Sequence, residues 1–243
     1  MKTSSFILAA LLATLPVIGQ DHKNQWQGRE EFNLFDSANK EQNPTTKLRI
    51  LNHWKLDYPN SDFKVDRQET IMDTYKALDN ADKMLNAAIE LIGLDKRNVK
   101  GLYWVCLLTV STQDKSSEAL DIADYAANGL FAAIPGFFAA NKPSTTSDDD
   151  WKKTRTNMEI IGHRTLGWTA MQRGKIEIAE KEFSTVLQNN LNDTDVSLWE
   201  HKIQATIAEC HDVYKKTIDK KTSDLTVREE ELIHSCKALE VYN

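Results

Sequence analysis

Apolar residues recur at steps of three and four along most of this chain, the spacing that places them on one face of a helix. Phe32, Leu34, Phe35 and Ala38 form a first stripe, stopped at Asn43-Pro44 by proline. Leu48, Leu51, Trp54 and Lys55 continue at the same steps to the turn-forming run Tyr58-Pro59-Asn60-Ser61. Val65, Ile71, Met72, Tyr75 and Leu78 predict a third helix. Met84, Ala87, Ala88, Leu91 and Ile92 predict a fourth, closing at Gly93-Leu94-Asp95. Helices over 102–110 and 119–130 follow, the second introduced by Ser116-Ser117. Helix, short break and helix at matching lengths is the signature of an internal repeat.

Turn formers interrupt this rhythm at Pro135-Gly136 and again from Asn141 to Asp150, so 134–150 is expected to be an irregular insertion. Ser147 followed by Asp150 has the form of a helix N-terminus, and the stripe Trp151, Met158, Ile161, Leu166 predicts an unusually long helix ending at Gly174. Its partner spans 176–187. A last pair carries Val196, Trp199, Ile203, Ile207, Cys210 and Tyr214, then Leu232, Cys236 and Leu239 after the capping box Thr226–Glu229.

The clearest unit, 160–193, holds Leu166-Gly167, then Gly174, Ala179, Phe183 and Val186-Leu187. It resembles a tetratricopeptide repeat: Leu-Gly in the first helix, a glycine turn, then a small residue and an aromatic in the second. Val186 departs from the pattern by replacing the last small residue. A unit over 65–98 closes on Leu94-Asp95-Lys96-Arg97-Asn98, similar to the family's repeat ending, and departs at Met84, Ala88 and Leu91. Ala119, Ala123 and Ala126 supply small contacts in a unit over 99–133. Trp54-Lys55-Leu56-Asp57-Tyr58-Pro59-Asn60-Ser61 resembles the repeat ending of bacterial cell-envelope tetratricopeptide proteins. With further units at 28–61 and 195–241, the resemblance implies an all-α domain over 28–243, its antiparallel helix pairs stacked as a right-handed superhelix (an α-solenoid).

The resemblance also implies a function. The first helix of each pair would line a concave wall, placing Asp66, Glu69 and Asp73, then Tyr103 and Leu107, then Arg164, Trp168 and Gln172 toward a protein or peptide partner. Arg164 and Trp168 are one turn apart and are residue types favoured at binding hot spots. Ordinary core packing is an equally open reading for Trp168, and for Tyr103.

Composition bears on this picture in three places. Nine glycines and five prolines among 243 residues suit long helices better than a turn-rich β fold. A net charge of −6 argues against a nucleic-acid partner. Lys2, the apolar run 6–18 and Val17-Ile18-Gly19 have the layout of a secretory signal peptide over 1–20, followed by a polar leader over 21–27. A periplasmic or secreted location is therefore expected, with an uncleaved N-terminal anchor as the alternative. After the signal no segment is expected to span a membrane.

Export gives meaning to three cysteines. Cys210 and Cys236 lie about equally far on either side of a helical break. An antiparallel hairpin would bring them level for a disulfide, although two buried thiols fit as well. Cys106 is expected to be an inert core thiol. His201, His211 and His234 lack the spacing of a metal set, Asp148-Asp149-Asp150 suits a helix N-terminus, and His53 and His163 are expected among core aliphatics. No phosphate loop, nucleophile elbow or metalloprotease motif is present, and no cofactor is expected. The leading expectation is a non-catalytic binding scaffold. A self-associating envelope component and a helical-bundle enzyme or cofactor carrier are the alternatives.

Overall fold

The computed structural model describes residues 24–190 and 193–238. The expected signal peptide and residues 21–23 of the leader lie outside the described residues, as does the end of the last unit. Among the described residues there are ten α-helices and no strand. They are α1 (Arg29–Lys40), α2 (Pro44–Asp57), α3 (Lys64–Ala77), α4 (Ala81–Leu94) and α5 (Val99–Thr112). There follow α6 (Ser117–Ala140), α7 (Asp148–Gln172), α8 (Ile176–Asn189), α9 (Thr194–Thr217) and α10 (Val227–Ala238).

Local chemistry starts most of these helices where the sequence places them. Asn43, Asn80, Asn98, Ser116, Ser147 and Asp193 each accept a backbone N–H of the first turn. Before α10 the capping box closes both ways: the Glu229 amide donates to Thr226 Oγ1 at 3.2 Å, and the Thr226 amide donates to Glu229 at 2.9 Å. Gly174 sits at φ 73°, the left-handed conformation that ends α7 without steric cost.

Each helix packs on the next in chain order, and α5 also packs on α7, the helix two places on. Burial follows the stripes. One apolar core runs from Ala38, Leu51 and Trp54 through Met72, Leu91 and Leu102 to Trp151 and Met158. A second joins Val110 and Leu120 to Trp168, Phe183, Val186, Val196 and Ile203. Near the start of the described residues Trp26 stacks on Phe63 with centroids 3.7 Å apart and also meets Phe35 and Trp54. Beside it, fully buried Glu31 accepts from Trp54 Nε1 at 3.0 Å and from the Gln27 amide at 2.7 Å. Burial alone would raise this carboxyl. Hydrogen bonds from Ser61, Gln27 and Trp54, with the Arg67 charge, outweigh burial and hold it below its ordinary range.

The expected irregular insertion over 134–150 is corrected. Only the link between α6 and α7 is non-helical, because α6 continues through Pro135 to Ala140 over 24 residues and α7 begins at Asp148 and runs for 25. A proline inside a helix costs roughly 3 kcal/mol. Continuing α6 keeps Ile134 and Phe138 in the core, where Phe138 lies 4.4 Å from Trp151 and its carbonyl accepts from Trp151 Nε1 at 3.0 Å. The insertion is absorbed as extra turns on two helices that pack together. His53 also differs from expectation: it is exposed and pairs with Asp57 at 2.9 Å, one turn on.

Cys210 and Cys236 form a disulfide joining α9 to α10, with Cα atoms 5.6 Å apart. Cys106 is free and buried. Among the described residues no helix is long and apolar enough to cross a membrane.

Candidate functional site

Helices α5, α7 and α9, the first members of three successive pairs, border a hollow of about 300 Å³. From α5 come Leu107, Val110 and Ser111, with Gln113 just beyond its end; α7 contributes Ile161 and Arg164; α9 contributes Asp195 and Trp199. The side-chain cap of Asp193 starts α9 beside α7, so Asp195 meets Arg164 across the pair boundary. Arg164 Nη2 donates to Asp195 at 2.8 Å, and its guanidinium lies 5.4 Å from the centroid of the Trp199 ring. Its Nε is buried with no hydrogen-bond partner. Trp199 is half-buried and rests on Phe183 at 5.5 Å, while Ser111 is exposed at the rim.

Chemically the hollow offers apolar area, a guanidinium paired with Asp193 and Asp195 and stacked on an indole, two hydroxyls and an amide. Cys106 also borders it, but burial pushes that thiol up to about 12, so it is not a thiolate at neutral pH. These are means of recognition. Among the described residues no group of three or more histidine, cysteine or acidic side chains could hold a metal.

The expected wall residues divide. Leu107 and Arg164 reach the hollow. Tyr103 and Trp168 do not: both are buried core, Tyr103 with its ring against Trp104 and Trp168 within the second core. Burying so large an aromatic surface outweighs displaying it. Gln172 is half-buried in the last turn of α7 and is not among the lining residues. Asp66, Glu69 and Asp73 share one face of α3. There buried Lys100 of α5 donates to Glu69 at 2.9 Å and to Asp73 at 2.6 Å. Burial, and then the neighbouring Glu69 charge, raise the Asp66 carboxyl. Two of these three acids therefore hold α5 against α3.

Trp199 and Asp195 were absent from the expected wall. Trp199 is legible only as one member of the last apolar stripe, and its approach to Arg164 depends on how two pairs dock. His163 likewise meets Glu182 at 2.6 Å and lies 4.7 Å from Phe131, tying α7 to α8 and α6.

No protein-family model matches the chain, and no curated protein does. The class that the structure itself defines is an all-helical stack whose consecutive helices pack in chain order.

Proposed function

We propose that this protein is an exported scaffold of tetratricopeptide type that holds a protein or peptide partner in the hollow between α5, α7 and α9, without catalysis. The hollow itself carries the reading: first helices of three successive pairs meet at one recess, walled by Leu107, Val110, Ile161 and Trp199 around the paired Arg164 guanidinium. Apolar area with a few fixed polar groups is what peptide recognition needs. Close helix approach at Gly167 supports the repeat type, and a Cys210–Cys236 disulfide suits an oxidising compartment such as the periplasm or cell exterior. On this reading the fold is a right-handed superhelix and the hollow belongs to its concave wall.

The test is photocrosslinking from exposed Ser111, replaced by a benzophenone amino acid, in the native compartment. An adduct with a distinct polypeptide is expected, and Ser111→Trp in a chain without the crosslinker, which fills the recess, should abolish capture of that polypeptide by co-purification while leaving helicity unchanged. Capture unaffected by Ser111→Trp would remove the site from this hollow. Adducts made solely with copies of the same chain would favour a second reading, self-association. That reading has its own support in exposed Leu198, Ile218 and Val227 on the last pair.

A further inference from the structure

A larger recess lies elsewhere, between the second helices of two pairs. It encloses about 590 Å³, bordered by α2 and α4 with α3 at its floor, a size typical of small-molecule sites. Its exposed wall is mainly apolar. Leu56 is 78% exposed and Leu94 is 43% exposed, with Pro59 between α2 and α3 completing that side. Neither leucine serves the core, so their apolar surface is left to water.

The floor is charged. Arg67 is 3% exposed, and its Nη1 donates to the carbonyls of Trp54 at 3.0 Å and Tyr58 at 2.9 Å. Its Nε is buried with no hydrogen-bond partner. The guanidinium also lies 5.2 Å from the centroid of the Trp54 ring, so a positive charge is fixed at the floor of the recess. The charges reinforce this. Lys55 pairs with Glu90, and Arg67 feels the charge of buried Glu31, but Lys64 at the rim has no ion-pair partner among the described residues. On a chain of net charge −6, this recess has one cation in excess.

The geometry points to a binding site for a long-chain monocarboxylate, its single charge toward Arg67 and Lys64 and its hydrocarbon chain along Leu56, Pro59 and Leu94. A peptide fits less well, because every residue brings an N–H and a C=O that need partners. The polar groups here are mostly engaged: Gln68 donates to the Ala87 carbonyl at 3.1 Å and Lys55 bonds Glu90. A polymethylene chain makes no such demand. The site is separate from the α5–α7–α9 hollow, and either can fail alone.

Dansyl-undecanoate, titrated into the full chain and followed by its emission, tests this directly. Saturable one-to-one binding with a blue shift is expected. Leu56→Asp, at an exposed position, should weaken binding about tenfold or more, the loss expected when one leucine contact is removed. Lys64→Glu should weaken it several-fold, dansyl-undecanol should bind at least several-fold more weakly than the acid, and Tyr125→Ser on α6 should leave binding unchanged. Circular dichroism and urea midpoints matching the parent chain would show that the variants fold. Absence of saturable binding, equal binding of acid and alcohol, or indifference to Leu56→Asp in a folded variant would overturn the proposal. So would displacement of the probe by a leucine- and aspartate-rich peptide at lower concentration than by undecanoate.

Discussion

Gly167 of α7 and Phe183 of α8 are fitted so closely that a methyl group on the glycine would stand 2.5 Å from Cδ1 and Cε1 of the ring. Phe183 is fully buried and in turn supports Trp199 of the next pair, so this contact transmits the position of α8 to the hollow. Gly167→Ala should cost roughly 1–3 kcal/mol through overpacking, despite the better helix propensity of alanine. Gly136 is also helical, but nothing lies within 4 Å of its added methyl group. Gly136→Ala should therefore stabilise by about 0.5–1 kcal/mol. Urea unfolding of the two variants gives opposite signs if close approach, and not composition, accounts for Gly167.

Much of this architecture was legible because its determinants are local. Ser147 with Asp150, Thr226 with Glu229, and Gly174 in its left-handed turn each act within a few residues, and the structure places all three as the spacing implies. Pro135 shows where local reading fails: contacts of Phe138 with Trp151, made across two helices, override a proline that on its own would end α6. The candidate site fared worse for the same reason. Trp168 and Trp199 both sit on apolar stripes, and only the docking of successive pairs decides that Trp168 is enclosed while Trp199 borders the recess. Lys100, a cation inside an apolar run, gave no local sign of its two carboxylate partners on α3.

Lys100 should respond strongly to substitution. Its ammonium is buried between Glu69 and Asp73, whose attraction and hydrogen bonds outweigh burial and raise its pKa. Lys100→Met leaves those two acids beside Asp66 with no buried cation. Breaking a fully buried pair costs about 3–5 kcal/mol, and because both acids are partly exposed roughly 2 kcal/mol is expected. Thermal melts at neutral pH would register this, and the loss should shrink toward acid pH as the carboxylates protonate.

Asp66 offers a test of opposite sign. Burial first, and then the charge of Glu69, raise its carboxyl above the ordinary 3.8; Asp73 on the same helix and Lys100 from α5 complete the charged surroundings. The folded chain thus holds a proton that the unfolded chain has already lost. Stability on this account falls as pH rises from 3.8 through the raised pKa, and the cost is present in full at neutral pH. Asp66→Asn should gain stability at pH 7 and lose that advantage below 3.8. Urea midpoints across this range check the prediction, and a variant less stable than the parent at pH 7 would contradict it.

Reduction of Cys210–Cys236 should act locally. Helix α10 packs mainly on α9, whereas α1 to α9 share the two apolar cores. The bond closes a sequence separation of 26 residues, worth roughly 3 kcal/mol in the chain-entropy account. Hydrogen exchange after reduction should show protection lost over Val227–Ala238 with little change in α4 to α7. Collapse of protection throughout would mean that the last pair is integral to the whole stack.

Trp168 separates core from display most directly. It is fully buried, and its Nε1–H lacks a hydrogen-bond partner among the described residues. Trp168→Ala should cost about 3–5 kcal/mol, as a large aromatic removed from a core does, and so disturb folding before any binding effect can be read. Trp168→Phe also loses volume, but it removes an unsatisfied donor whose burial costs roughly 1–3 kcal/mol. The two terms nearly cancel, so the phenylalanine variant should fall within about 1 kcal/mol of the parent. Were Trp168 a display residue, both variants would keep parental stability and lose partner capture alike. The denaturation midpoints of the pair, set beside crosslinking from Ser111, distinguish the two roles in a single series.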